Sequence, residues 1–448
     1  MSINKNQRSS VLFGDELSME IPPIRTNHPI CVLRGQDGRG LRAFIPFDAS
    51  LLSRHIMLLG GIGTGKTNAF FQIVSQINKN ITPDDVMIIF DTKGDFYKEF
   101  YAPGDVVISN DRNATGPERL DYWNIFNEID YGENMMESII EISKSLFAEQ
   151  IKKTNQIFFP NAAKDLFMAC LLHFIRTKPP RERTNKNLIS FICESTTAEL
   201  REMLEQHKDL RGMISYIERD DSNQTQGVKS VLDQAIREVF VGNFKKTGTL
   251  SLKNLVKNKG GKRVFIEYDL SIGKMLTPIY SLMFDFAIKE ALSRNASGGN
   301  VYFITDEFSL LPNLEHIDDA VNFGRSLGIK FMIGIQNVEQ IYYNYGEQRA
   351  RSIMSGFLTG IMFRVNDGMS REYIQQRYGK CQKIESYLPT NQSGGIVESQ
   401  RESHVIEDWE INNLLIGQAI IGMPNTLPFV FRFDEYITKK QLERRNEK

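Results

Sequence analysis

Residues 60–67 read "GGIGTGKT" and follow the apolar run "RHIMLL". Gly60, Gly65, Lys66 and Thr67 satisfy G-x-x-x-x-G-K-[ST], with a predicted strand before the motif and helical spacing in "KTNAFFQIVSQINK" after it. Gly60, Gly61, Gly63 and Gly65, with Thr64, let backbone N–H groups turn toward phosphate oxygens that a side chain would keep away. The new helix adds the positive end of its dipole. Lys66 is expected to reach the β- and γ-phosphates of a nucleoside triphosphate, and the Thr67 hydroxyl to ligate Mg²⁺. The loop points to a strand–loop–helix fold expected to hold a nucleoside triphosphate, read as ATP, with Mg²⁺.

The rest of the chain is read around that loop. "VMIIFD" (86–91) has the continuous apolar character of a parallel-sheet strand, and "GDVVIS" (104–109) is a third candidate. From about 133 to 240 the spacing is helical, in "ENMMESIIEISKSLFAEQI", "NAAKDLFMACLLHFIR", "TTAELREMLEQ" and "QGVKSVLDQAIREVF". Strand patterns resume at 263–270, 300–307, 330–336 and 360–365, and 389–400 reads as a polar loop. The expected fold is α/β, a P-loop, RecA-like, doubly wound and mostly parallel sheet with an inserted all-α domain. Residues 1–50 form a short-strand segment packing on the core, 51–130 and 260–448 form the nucleotide-binding core, and 131–259 form the insertion.

"NVYFITDEF" supplies a second half-site, an apolar strand ending in two carboxylates. At a sheet's C-terminal edge Asp306 suits the Mg²⁺ shell and Glu307 suits a base that polarises attacking water. Lys66 and Asp306 lie 240 positions apart (306 − 66), whereas a βαβ unit needs only about 30. Such an insertion suits a motor that couples hydrolysis to another domain. Asp91 and Lys93 follow the second strand in "FDTKGDF", Gln336 ends the strand after the acidic pair, and Arg325 lies between glycines in "NFGRSLG". Gln336 is placed to sense a γ-phosphate, and Arg325 could act on a neighbouring subunit's nucleotide.

With a formal net charge of −1, any nucleic-acid surface must be local. The segment 245–263 holds seven Lys/Arg and no Asp/Glu, with Lys257, Lys259, Lys262 and Arg263 as candidate contacts to DNA phosphates. "SREYIQQRYGKCQK" (370–383) is a weaker patch, and neither implies base-specific readout. Cys31, Cys170, Cys193 and Cys381 are scattered, against a zinc site or disulfide framework and in keeping with a reducing compartment. No signal peptide or membrane span is read, and "LTPIYSLMFDFAIKEAL" (276–292), interrupted by Asp285, Lys289 and Glu290, reads as a buried helix.

The order GxxxxGKT, "DTKGDF", "DEFSLLPNL", "GRSLGIKFMIGIQN" and "YYNYGEQRARSIM" resembles the type IV coupling proteins, the conjugation and type IV secretion ATPases of the HerA–FtsK superfamily. The resemblance spans roughly 50–130 and 260–440. It implies a homo-hexameric ring that moves DNA, or a protein–DNA complex, toward a transfer channel. It assigns Lys66 and Thr67 to nucleotide and Mg²⁺, Asp306 and Glu307 to the acidic motif, Gln336 to nucleotide sensing and Arg325 to a trans-acting finger. Asp91 and Lys93 match the family's D-x-K-G motif. Implied partners are non-sequence-specific DNA, a relaxase or effector cargo, and a separate membrane or channel subunit in place of the usual transmembrane helices. The expected location is cytoplasmic, at the inner face of the membrane through that partner. Two other readings share the motifs: a HerA-like helicase or packaging motor, and a nucleotide-switched cargo adaptor.

Overall fold

The computed structural model describes residues 8–110, 121–293, 298–387 and 397–446. The chain divides into two compact units. The first comprises Met1–Ile81, Phe303–Ser309 and Lys330–Lys448. Its strands run in the order Arg42–Phe47, Cys31–Asp37, Phe429–Phe433, Gln418–Gly422, Thr359–Phe363, Ile56–Leu59, Ile329–Ile335, then the end of Val301–Thr305. Ile56–Leu59 pairs in parallel with both Thr359–Phe363 and Ile329–Ile335. Every residue of these three strands is buried, which is why they read as unbroken apolar runs.

Beyond Thr359–Phe363 the pairing turns antiparallel. Burial then alternates along Cys31–Asp37, as expected where one face meets water. The hairpin of residues 31–47 thus extends the sheet. Helix Lys66–Asn80 buries Ala69, Phe70, Ile73, Val74 and Ile77. It also presents two glutamines to strand Cys31–Asp37: the Arg34 N–H donates to Gln72 Oε1 and the Val32 N–H to Gln76 Oε1, both at 3.0 Å. These side-chain amides satisfy backbone groups before the Phe429–Phe433 pairing begins at Gly35.

A separate antiparallel sheet, in the order Arg8–Phe13, Lys380–Tyr387, Val397–His404, was not expected. It corrects part of the polar loop read over 389–400, because residues 397–400 lie in a strand. Residues 389–396 lie outside the described residues. Part of 370–383 also enters this sheet, where Lys383 pairs with Glu407 at 3.6 Å.

The second unit comprises Thr82–Tyr302 and Leu310–Ile329. Its strands Val86–Asp91 and Val106–Ile108 both pair in parallel with Lys262–Glu267. Helices Met135–Lys152, Phe158–Thr177, Asn185–Glu194, Thr197–Glu205, Asn223–Val239 and Leu252–Asn258 follow in sequence. The two ends of the helical segment meet, with Trp123 bridged to Leu250. Buried Glu128 fastens that junction by accepting from Trp123 Nε1 and the Leu252 N–H at 2.8 Å, Ser251 Oγ at 2.9 Å and the Lys253 N–H at 3.1 Å. Helix Gly273–Leu292 is buried along nearly its whole length, as expected for 276–292, and Asp285 on it contacts His316 at 2.9 Å. No helix among the described residues is long and apolar enough to cross a membrane.

Candidate nucleotide site

The glycine loop joins strand Ile56–Leu59 to helix Lys66–Asn80, and its conformation follows from its glycines. Gly63 and Gly65 take φ of +72° and +114°, the left-handed region that other residues enter only with strain. A Cβ on Gly60 would lie 2.6 Å from Phe363 Cβ, and one on Gly65 would lie 3.0 Å from Gly417 Cα. A Cβ on Gly63 would meet nothing within 4 Å, so its conformation and not crowding calls for glycine there. The buried Thr64 donates from Oγ1 to the Gly61 carbonyl at 2.8 Å, closing the turn. Lys66 Nζ donates to the Gly60 carbonyl, and to the Gly61 carbonyl at 3.1 Å. The ammonium is thereby held at the mouth of a loop built to receive phosphate oxygens.

The other residues of this edge arrive in register. The Gly60 N–H donates to the Ile335 carbonyl at 3.0 Å, so the loop begins level with the end of the strand that delivers Gln336. One strand further lies the acidic pair. Gly334 lies against it so closely that a Cβ would stand 2.3 Å from the Asp306 carbonyl oxygen. Lys66, Thr67, Gln336, Asp306 and Glu307 therefore share the C-terminal edge of three neighbouring strands within one compact unit. Glu307 is buried, and its Oε1 accepts from Ser309 Oγ at 2.5 Å, which fixes the carboxylate. Thr67 offers a hydroxyl and Asp306 a half-buried carboxylate, the hard oxygen donors that Mg²⁺ takes.

In the second unit the sequence candidates divide. Arg325 is exposed in the short 3₁₀ turn Gly324–Leu327. Asp91 is fully buried and accepts from the backbone N–H groups of Lys93, Asp95 and Tyr97 at 3.3, 3.1 and 2.8 Å. Burial pushes its pKa up, against those three donors. The carboxylate shapes the turn into helix Asp95–Phe100, whereas the neighbouring Lys93 is exposed.

Two of the four candidate phosphate contacts are corrected. Lys259 is buried, with Nζ donating to the Gly298 carbonyl at 2.7 Å. The Arg263 Nε donates to both oxygens of buried Asp105 at 2.8 Å. The exposed cations of this segment are Lys257 and Lys262, with Lys245 further back along the chain.

One part of the site escaped the sequence reading. The turn Leu415–Gly417 lies against the glycine loop, with the Gly417 N–H donating to the Thr64 carbonyl at 2.9 Å. The segment after strand Phe429–Phe433 grips the first helical turn: Asn68 Nδ2 donates to the Asp434 carbonyl at 2.8 Å, and the Tyr436 N–H to Asn68 Oδ1 at 2.7 Å. The only signal for it in the sequence was a glycine entering the apolar strand "QAIIG".

Comparison with known proteins agrees with this architecture. The family described as type IV secretion-system coupling protein DNA-binding domains matches residues 41–436. The chain is 20% identical over 344 residues to coupling protein TraD of Escherichia coli (strain K12), a match that takes in 74% of this chain and 45% of that one. The match thus spans less than half of that relative's length. Among solved structures, the bacterial conjugative coupling protein TrwBdeltaN70 in its unbound form is similar at a TM-score of 0.70 and 18% identity, covering 89% of this chain and 88% of that one. Plasmid coupling protein TrwB in complex with ADP and Mg²⁺ is similar at 0.69 and 18% identity, covering 88% of each chain. Both likenesses bear out the α/β, RecA-like P-loop fold.

Proposed function

We propose, for a chain that belongs to the family of type IV secretion-system coupling protein DNA-binding domains, that it hydrolyses ATP and uses the energy to move DNA, or a protein–DNA substrate, toward a transfer channel. The observation that carries this reading is the ordering of one sheet edge: loop strand, Gln336 strand, acidic strand. Lys66 and the loop N–H groups would hold the phosphates, while Thr67 and Asp306 would hold Mg²⁺. Bound there, Mg²⁺ would neutralise charge on the phosphates. Glu307, fixed by Ser309, would take the proton of the attacking water, and Gln336 would orient that water or the γ-phosphate. The helical segment, whose ends meet at Trp123 and Leu250, would form the all-α domain that engages a relaxase or effector cargo. A homo-hexameric ring and a separate membrane or channel subunit complete the proposal.

Hydrolysis measured with and without non-specific duplex DNA, across a salt series, tests it. DNA is expected to raise the rate, and salt to abolish the stimulation steeply, because phosphate contacts release counterions. Neutralising Lys245, Lys257 and Lys262 together should lower the salt slope of DNA binding by up to about three, roughly one per lost contact. Hydrolysis indifferent to DNA at every salt concentration would sink the translocase reading and favour a nucleotide-switched adaptor.

A further inference from the structure

The direction in which the triphosphate lies follows from the sheet order, and it leaves the nucleobase one place to go. Gln336 and the Asp306–Glu307 pair stand on one side of the loop strand Ile56–Leu59. They act on the γ-phosphate, so the γ end points toward them. The sugar and base must leave on the opposite side, over Thr359–Phe363 and Gln418–Gly422. There the Leu415–Gly417 turn stands immediately before strand Gln418–Gly422, and Asp434–Tyr436 immediately after Phe429–Phe433.

We infer that the Leu415–Gly417 turn is an apolar shelf for the nucleobase, a role that rests on the nucleotide-binding reading of the glycine loop. Three observations support it. The turn is clamped to the loop by the Gly417–Thr64 hydrogen bond, and it comes so near the loop that a Cβ on Gly65 would stand 3.0 Å from Gly417 Cα. Gly417 itself takes φ of +75°. Leu415 and Ile416 are nevertheless 57% and 69% exposed. Two large apolar side chains held out to water on a turn this firmly fixed suit a flat apolar face that arrives with the ligand. The opposite boundary is equally rigid, since Asn68 bonds both Asp434 and Tyr436 and the Tyr436 ring packs edge-on against Phe71 at 5.5 Å.

Leucine and isoleucine carry no donor or acceptor, so the shelf covers a purine face without reading its edge. ATP and GTP gain equally from it. The test uses the double variant L415S/I416S, whose sites are exposed and whose fold is checked by thermal melting. Binding of Mg·ATP, Mg·GTP and inorganic tripolyphosphate is titrated against variant and unmodified protein. Both nucleotides should weaken by about tenfold, in keeping with the loss of some tens of Å² of buried apolar surface. Tripolyphosphate, which reports the loop alone, should stay within about twofold. Unchanged nucleotide affinity overturns the shelf, as does a parallel loss for tripolyphosphate, which would mean that the turn acts only by supporting the loop. A loss confined to ATP overturns the edge-blind contact. If the unmodified protein binds tripolyphosphate as tightly as either nucleotide, the shelf fails and the phosphate site stands. If it binds none of the three, the nucleotide reading itself fails.

Discussion

In the proposed mechanism Lys66 and Glu307 divide the work at the site, and their different settings give their losses different expected effects. The Lys66 ammonium rests on two carbonyls of its own loop, so its geometry is set before any phosphate arrives. Removing it deletes a charge that holds the ligand in ground and transition state alike. Lys66→Ala should therefore raise the dissociation constant for Mg·ATP by about two orders of magnitude and abolish turnover. Glu307 is buried and oriented by Ser309, and its proposed role is on the attacking water rather than on the phosphates. Glu307→Gln keeps the shape and loses the base, so binding should change less than about threefold while the rate falls by about 10²–10⁴. Calorimetric titration beside a phosphate-release assay separates the two, and a Glu307→Gln protein that hydrolyses at the unmodified rate would remove that residue from the mechanism.

At the scale of elements, what the sequence disclosed depended on whether the signal was local. The loop strand and its neighbours were legible because buried parallel strands read as unbroken apolar runs. Helix Lys66–Asn80 was legible from its spacing. The Arg8–Phe13 sheet was not, because strands such as "VESQRESH" are polar at every position but the first and show no apolar run or alternation. Lys259 and Arg263 looked like a solvated basic run, since the partners that internalise them, Gly298 and Asp105, lie far away in sequence. The Leu415–Gly417 turn was hidden for the same reason.

A histidine pair in the helical segment, His173 buried and His207 half-buried, gives a pH dependence with a definite sign. His173 Nδ1 lies 3.1 Å from His207 Nε2, and His173 stacks on Phe191. Burial, then the charges of His207 and Lys178, lower the His173 pKa from 6.5 to about 4, and His207 is lowered as well, chiefly by burial. Between those values the unfolded chain takes up a proton that the folded one refuses. Stability should thus hold above about pH 6.5 and fall as pH drops toward 4. Urea denaturation at pH 7 and pH 5 measures the loss, and His173→Asn, which cannot titrate, should flatten it. An equal pH slope in that variant would assign the acid sensitivity to other groups.

For the whole molecule the decisive residue is Arg325, because its expected role exists only in an assembly. It stands exposed in a turn whose end is rigid: Gly328 takes φ of +79°, and a Cβ there would meet the Gly299 carbonyl oxygen at 2.2 Å. In a ring, an arginine so presented can reach a neighbour's γ-phosphate and stabilise charge in the transition state, an effect worth about 10³–10⁵ in rate. Arg325→Ala should leave ATP affinity within about threefold and lower turnover by about 10³. Arg325→Lys should not rescue, since an ammonium lacks the planar fork that contacts two oxygens at once. Mixing Arg325→Ala with Lys66→Ala subunits then locates the active site. The first retains the loop and the second retains the arginine, so each lacks what the other supplies. If the arginine acts across a boundary, mixed assemblies regain part of the rate that neither variant shows alone, at the fraction of interfaces where an intact loop faces an intact Arg325. If mixtures shown by mass to contain both subunits stay inactive, Arg325 serves its own chain, and the nucleotide site does not need a second subunit to complete it.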